Sequence, residues 1–389
     1  MSGGKVYLAH LLPQLARLAA GHELIVLHNG DLAGVEAAVA NAAPAAQLRL
    51  RRVEGLAATN RVWIGKAIVK LVWRLVVFPW HLWRLQPDVL FSNAGYAPGW
   101  LPRHTRLVLA LHNSMPLRAE LIADERSTLR RWRLRLLRWL MGRAARRSAA
   151  TIVFSHDTRQ RVRASFGITE NTLAVVHHGI DWGAAERAQP LDEGVLRRFG
   201  LTRPYLLFVS QFHRYKNLGT LVAAFAQVHV LHPTLQLALV GDQADADYWR
   251  EIETQIVALG LADNILQVPG CARAELLHVY RGALAFVHPS LAETCSFPLL
   301  EALALGVPVA AARMSALPEI AGEAALYFDP YDVAELAAVL ERLVVDEALR
   351  VELCKQAIAR TQMFSWEAAA RQTLAVLEGV GPRTKCGSI

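Results

Sequence analysis

In the second half of the chain the apolar positions fall into short unbroken runs at 205–212, 235–242, 265–270, 284–290, 308–313 and 325–329. Between the first two runs Leu218, Leu221, Val222 and Phe225 repeat at the helical period, and Ile252, Ile256 and Leu259 do so after the second. Runs that are apolar throughout suit strands covered on both faces. Alternating with amphipathic helices, they predict a parallel sheet. Such sheets take ligands at the carboxyl ends of their strands, where loops lead into helices.

The first half has the same rhythm, with strands expected at 23–29, 47–54, 88–93, 106–112 and 151–155. The stretch 178–204, punctuated by Gly183, Pro190, Gly194 and Gly200, reads as a linker. A chain of 389 residues exceeds one ordinary core. The expected fold class is therefore α/β, with two Rossmann-like, doubly wound parallel-sheet domains facing across a cleft. The expected division is 1–180 and 181–364, with a helix over 365–380 packing back on the first domain and a frayed tail after it. A glycine-rich turn such as Ser2-Gly3-Gly4 ordinarily follows a first, central strand, yet 6–18 already reads as helix. Because losing a central strand exposes two sheet edges, a further strand is expected upstream of the assigned start.

Charge divides the halves. Residues 1–180 carry 25 Lys and Arg against 10 Asp and Glu, a balance of +15, and the remainder carries 17 against 24, a balance of −7. Nine arginines lie in 126–147, around Leu129, Trp132, Leu136 and Leu140 at helical spacing. Over 61–86, Trp63, Trp73, Trp80 and Trp83 alternate with Lys66, Lys70 and Arg74, and no uncharged run there is long enough to cross a bilayer. Tryptophan among cations suits the headgroup region of an anionic membrane. A buried helix with a solvated cationic face is the plainer reading, and RNA binding a third. No RNA-binding motif accompanies the charge, so no nucleic-acid partner is expected. Cys271, Cys295, Cys354 and Cys386 have neither metal-ligand spacing nor a secreted framework. The opening MSGGKVYLAHLLPQL lacks the order of a signal peptide. A cytoplasmic protein, peripheral at the inner face of the plasma membrane, is expected.

The densest chemistry lies in HPSLAETCSFPLLEALALGVPV, from His288 to Val309. A strand there ends in a loop that opens into a short helix, with Pro298 suited to the first turn and Gly306 to the C′ position. The N–H groups of such a helix start make a site for a diphosphate. Glu293 and Glu301, acceptor-only carboxylates, can each take sugar or ribose hydroxyls. On spacing alone a helix-dipole role for Glu301 and a solvated loop acid at Glu293 are equally open.

This stretch resembles the Glu, seven residues, Glu signature of the retaining GT-B glycosyltransferases, particularly family four. Glu293, Phe297-Pro298 in shifted wording, Glu301, Ala302, Ala304, Gly306, Pro308 and Val309 match it. The likeness continues through Ser315-Ala316-Leu317-Pro318-Glu319 and reaches back through Leu239-Val240-Gly241-Asp242 and Val268-Pro269-Gly270. The resemblance implies that Glu301 binds the ribose and Glu293 the donor sugar, and that the backbone of Cys295, Ser296 and Phe297 approaches sugar and phosphate. Thr294 and Ser296 stand where the family has glycine, which bears on sugar preference. SQFHRYKN resembles the family's G-R-L-x-x-x-K, so Lys216 would hold the diphosphate. Gln211 replaces the usual arginine, with Arg214 the candidate substitute. Gly3 and Gly4 resemble the turn that admits the donor phosphates, and His112 the cleft histidine near the anomeric centre. Gly270 and Cys271 lie where the base is held. His177 and His178, in a run resembling P-N-G-V-D, are given no catalytic role.

The implied activity is transfer of a hexosyl group from a nucleotide sugar to a glycan or lipid-linked acceptor, as in bacterial surface polysaccharide and lipopolysaccharide synthesis. It is expected to retain configuration and to need no metal and no cofactor. A nucleotide-sugar epimerase and a non-catalytic sugar-nucleotide sensor or membrane scaffold are the alternatives.

Overall fold

A computed structural model describes residues 3–28, 48–52 and 73–381. Contacts divide the chain into two compact units, one running to Gly179 and resuming at Ser365, the other from Ile180 to Phe364.

The first unit opens with the helix Gly3–Leu18, which buries Tyr7, Leu11, Leu12, Leu15 and Ala16 along one face. β1 (Leu24–His28) pairs in parallel with β2 (Leu48–Arg52). A second parallel sheet holds β3 (Val89–Ser92), β4 (Arg106–Ala110), β5 (Ala150–Val153) and β6 (Leu173–Val175) in that order. Among the described residues β1 and β3 are each paired on one side only. The helix Gly3–Leu18 touches both sheets. Leu24 and Val26 pack against Leu12 and Ala16, and the Gly4 carbonyl accepts a hydrogen bond from Asn93 Nδ2, just past β3, at 3.5 Å. Gly3 and Gly4 form the first turn of this helix rather than a turn ahead of it. The helix Trp366–Val380 packs on the helix Gly3–Leu18 and reaches β3, β4 and β5. Gly179 permits that return, because a Cβ there would stand 2.2 Å from the Trp366 nitrogen.

The second unit is a six-stranded parallel sheet. Its strands are β7 (Tyr205–Val209), β8 (Gln236–Val240), β9 (Ile265–Val268), β10 (Ala285–His288), β11 (Val309–Ala312) and β12 (Ala325–Phe328). Their order is β12-β11-β10-β7-β8-β9. Each of the six apolar runs supplies one strand, and every residue of β7, β10 and β11 is buried, as two covered faces require. Leu259 departs from expectation and is exposed at its helix end. The expected linker is also more than a linker. It carries the helices Ala184–Ala188 and Glu193–Arg198, and Trp182, Val195 and Leu196 are buried in this unit.

From β7 the chain winds outward through β8 and β9, then returns to lay β10 against the other side of β7. The β7–β10 boundary is thus a topological switch point, where the two following loops diverge and leave a crevice. Gly241 tightens the adjoining loop. Its φ is +144°, and a Cβ would lie 1.8 Å from the Ser210 carbonyl oxygen.

Candidate functional site

Two loops leave this switch point. After β7 the chain turns through a 3₁₀ segment, Arg214–Lys216, and Asn217 in left-handed conformation starts the helix Leu218–Leu231. After β10 the loop 289–296 leads into the helix Phe297–Ala304. Ser296 caps that helix, its Oγ accepting from the Leu299 N–H at 3.3 Å. Pro298 sits in the first turn and Gly306, at φ +69°, two residues past the helix end. The Tyr215 carbonyl joins the loops, accepting from the Leu291 N–H at 2.8 Å and the Ser290 hydroxyl at 3.4 Å.

That seam brings Lys216 and Glu293 together from 77 positions apart. Lys216 Nζ donates to Glu293 Oε1 at 2.5 Å, and both side chains are buried. His288, the fully buried last residue of β10, places Nε2 3.1 Å from the same oxygen and 3.0 Å from Ser296 Oγ. Burial alone would raise the Glu293 carboxyl, but Lys216 and His288 outweigh it and hold it at about 2. Burial opposes charge on Lys216 as well, yet Glu293 and Tyr215 hold its ammonium above its ordinary value. The His288 imidazole is lowered by burial, against the pull of Glu293. The backbone of Glu293 is clamped too. Its N–H donates to Ser315 Oγ at 2.7 Å, and the Ser315 hydroxyl donates to its carbonyl at 2.6 Å. Ser315 holds φ +66°, a conformation that a non-glycine residue adopts at a cost.

Glu301, buried on the same short helix, is held differently. The Tyr280 hydroxyl donates to its Oε2 at 3.2 Å, while Arg273 Nη1 lies 3.7 Å from Oε1. Burial dominates over Arg273 and raises this carboxyl to about 7. Arg273 also pairs with Asp181 at 2.5 Å and lies over the Trp182 ring.

Arg214 does not join Lys216 and Glu293. Its guanidinium makes two hydrogen bonds with Glu251, at 2.8 and 2.7 Å, over the Tyr248 ring, 4.8 Å from its centroid. Gln211 is exposed. Thr294 and Cys295 are buried in the loop beside Glu293, and Phe297 is half-buried at the helix start. Gly270 lies over Asp242, where a Cβ would come 3.1 Å from its carboxylate, and Cys271 beside it is half-buried.

In the first unit His112 follows β4 and packs among Phe154, with centroids 4.2 Å apart, Tyr7 at 4.6 Å and His178 at 5.7 Å. Its Nε2 hydrogen-bonds Asn93 Oδ1. Burial among these rings pushes the imidazole down to about 3, so it is neutral at physiological pH. His178 is buried within the same cluster. At Gly4 a Cβ would lie 3.7 Å from Asn93 Nδ2, an ordinary contact, so packing does not demand glycine there.

The helix Thr128–Arg147 buries Met141, Gly142, Ala144 and Ala145 near its end and leaves Leu129, Trp132, Leu136 and Trp139 exposed by 77, 65, 56 and 57%. These four fall on one face at 3.6 residues per turn. Trp139 rather than Leu140 completes the row, and Arg133, Arg135, Arg143 and Arg147 are exposed around it. Leu75, Val76, Trp80 and Trp83 are exposed over 75–83. Trp63, Lys66 and Lys70 lie outside the described residues, as do the side chains of Trp73 and Arg74 and the expected frayed tail. No helix among the described residues is long and apolar enough to cross a membrane.

His288, Ser315, Tyr280 and Arg273 are the residues that sequence reasoning passed over. His288 and Ser315 stood within the matched runs but had been given no role.

Comparison with known proteins matches residues 197–360 to the family described as glycosyl transferases group 1 and residues 1–182 to that described as glycosyltransferase family 4. D-inositol 3-phosphate glycosyltransferase of Thermobifida fusca is 32% identical over 54% of this chain and 50% of its own length. O-antigen chain mannosyltransferase B of Escherichia coli is 29% identical over 46% and 47%. The chain thus spans about half the length of these curated relatives. Among solved structures, Anabaena HepE, crystallised with UDP and glucose, superposes with a TM-score of 0.70 at 17% identity, over 97% of this chain and 96% of that one. The likeness extends through both units and assigns the GT-B fold.

Proposed function

The chain belongs to the group 1 glycosyltransferases, and from that premise we propose that it moves a hexosyl group from a nucleotide sugar to a glycan or lipid-linked acceptor. The observation that carries this reading is the buried Lys216–Glu293 pair at the switch point, beside the start of the helix Phe297–Ala304. Lys216 and that helix start supply positive charge for a diphosphate. Glu293 and Glu301 supply acceptors, the first for sugar hydroxyls and the second for the ribose. His112, a neutral imidazole, offers a hydrogen bond without charge, as a residue near the anomeric centre should.

The transfer retains configuration. The bond from the anomeric carbon to the diphosphate oxygen breaks as the acceptor oxygen bonds on the same face, and the acceptor's proton passes to the departing diphosphate. Glu293 positions the sugar and is not a nucleophile. Lys216 and His288 at Oε1 offset its charge and lower its basicity, which makes it a weak nucleophile for a double displacement. Lys216 and the helix start take up the charge that builds on the leaving group, so no metal is required. Activity that survives chelation by EDTA is the expected result. Anomeric configuration of the product, read by proton NMR, tests retention, and an inverted product would refute it. Release of an isomerised donor would mark an epimerase, and binding without turnover a sensor.

A lipid-linked acceptor fits the exposed row on the helix Thr128–Arg147. Two tryptophans and two leucines among exposed arginines, with no acidic residue in 126–147, suit an anionic leaflet. A buried helix with only a cationic face outward would not leave that apolar row in solvent. The O-antigen mannosyltransferase among its relatives supports a place in surface polysaccharide synthesis, at the cytoplasmic face of the membrane.

A further inference from the structure

His288 is fully buried at the end of β10, its ring inclined by 22° to that of Phe286, with centroids 5.5 Å apart, and by 23° to that of Phe208, at 6.5 Å. Its two nitrogens have opposite surroundings. Nε2 faces Glu293 Oε1 at 3.1 Å and Ser296 Oγ at 3.0 Å. Nδ1 is buried and, among the described residues, has no hydrogen-bond partner. A bare Nε2 would set its lone pair against a carboxylate oxygen, so Nε2 carries the proton and donates it. A second proton on Nδ1 would leave a buried donor unmatched, and burial together with the Lys216 charge outweighs the pull of Glu293 on an imidazolium. The ring is therefore the neutral Nε2–H tautomer.

Glu293 Oε1 then takes hydrogen bonds from both Lys216 Nζ and His288 Nε2. Among the described residues no donor reaches Oε2, and that oxygen is not among the buried atoms left without a partner. Resting on the donor reading above, we propose that His288 is a positioning residue. With Lys216 it pins Glu293 by one oxygen and leaves Oε2 as the acceptor presented to a donor-sugar hydroxyl. Ser296, shared between His288 and the cap of the helix Phe297–Ala304, links this arrangement to the helix start that faces the diphosphate.

Two measurements test this. Side-chain nitrogen NMR of the full chain should show His288 with a protonated Nε2 and a bare Nδ1, and the reverse tautomer or an imidazolium at neutral pH overturns the proposal. The second is calorimetric binding of UDP-glucose, GDP-mannose, UDP and GDP to wild type, His288→Phe and His288→Gln. The Phe variant keeps the stacked ring and loses the donor, whereas the Gln amide can restore it. A donor to a charged group contributes enough that the Phe variant should weaken the sugar nucleotide about tenfold more than the matching nucleoside diphosphate. The Gln variant should recover most of that loss. Equal weakening of both ligands, or none, marks His288 as packing only and sinks the proposal. If neither sugar nucleotide binds wild type while the tautomer is as stated, it is the donor reading that fails, and the role given to Oε2 with it.

Discussion

Lys216 and Glu293 illustrate how a buried ion pair can be poor structural cement and still be useful. Taking both charges out of water costs about as much as their attraction returns, whereas removing one partner strands the other. Lys216→Met and Glu293→Leu should therefore each destabilise the second unit by about 3 kcal/mol, while the double substitution recovers most of that loss. Thermal unfolding of the four proteins measures this. Turnover should be lost in all three variants, and a double variant that is stable and active would show the pair to be structural. The two glutamates also respond to pH with opposite signs. Glu293, held at about 2, adds stability that is present above the ordinary carboxylate range and is lost as pH falls toward 2. Glu301, raised to about 7, keeps a proton that the unfolded chain has already released, so its effect is a fall in stability as pH rises from about 4.5 to 7. Glu301→Gln should flatten that slope. Ribose hydroxyls favour the ionised acceptor, so nucleotide binding should release a proton near pH 7, detectable by calorimetry in buffers of differing ionisation enthalpy.

At the scale of elements, glycine separates fold from function. Gly241→Ala drives a Cβ into the Ser210 carbonyl and should cost about 2–4 kcal/mol, whatever the ligand. Gly4→Ala meets nothing closer than 3.7 Å and sits in a helical first turn, so stability should change by less than about 0.5 kcal/mol. If the helix start of the first unit admits donor phosphates, the same change should weaken nucleotide-sugar binding. Unchanged affinity would detach Gly4 from the donor. The strands of the second unit were legible because its central strands, β7, β10 and β11, are buried throughout and need unbroken apolar runs. The short β6 and the helices inside 178–204 were not, since glycines and prolines there mask two brief helices that only tertiary packing stabilises. The motifs singled out Glu293, Glu301 and Lys216 as candidates. What it could not reveal was partnership. Glu251, 37 positions beyond Arg214, draws that guanidinium away, and Tyr280 and Arg273 meet Glu301 from a different helix.

For the whole molecule, the charge difference between halves acquires a location. The basic excess of the first half is concentrated on the helix Thr128–Arg147, around an exposed row that sequence periodicity had placed correctly except at its last member. Trp132→Ser with Trp139→Ser should reduce retention on vesicles containing anionic lipid at low salt while leaving transfer to a water-soluble acceptor unchanged. Equal retention of wild type and variant would remove the membrane from the account. The proposed function places the donor chemistry at the switch point of the second unit's sheet, and the most direct test of that claim is binding. UDP-glucose and GDP-mannose should be titrated into wild type and into the Lys216→Met, Glu293→Leu double variant, with unfolding curves to establish that both are folded. Wild type should bind at least one of them, and the folded double variant should bind it at least about tenfold more weakly, as loss of charge-assisted contacts to phosphate and sugar requires. Equal affinity in the two proteins, or no binding of either nucleotide sugar to wild type, would contradict that claim.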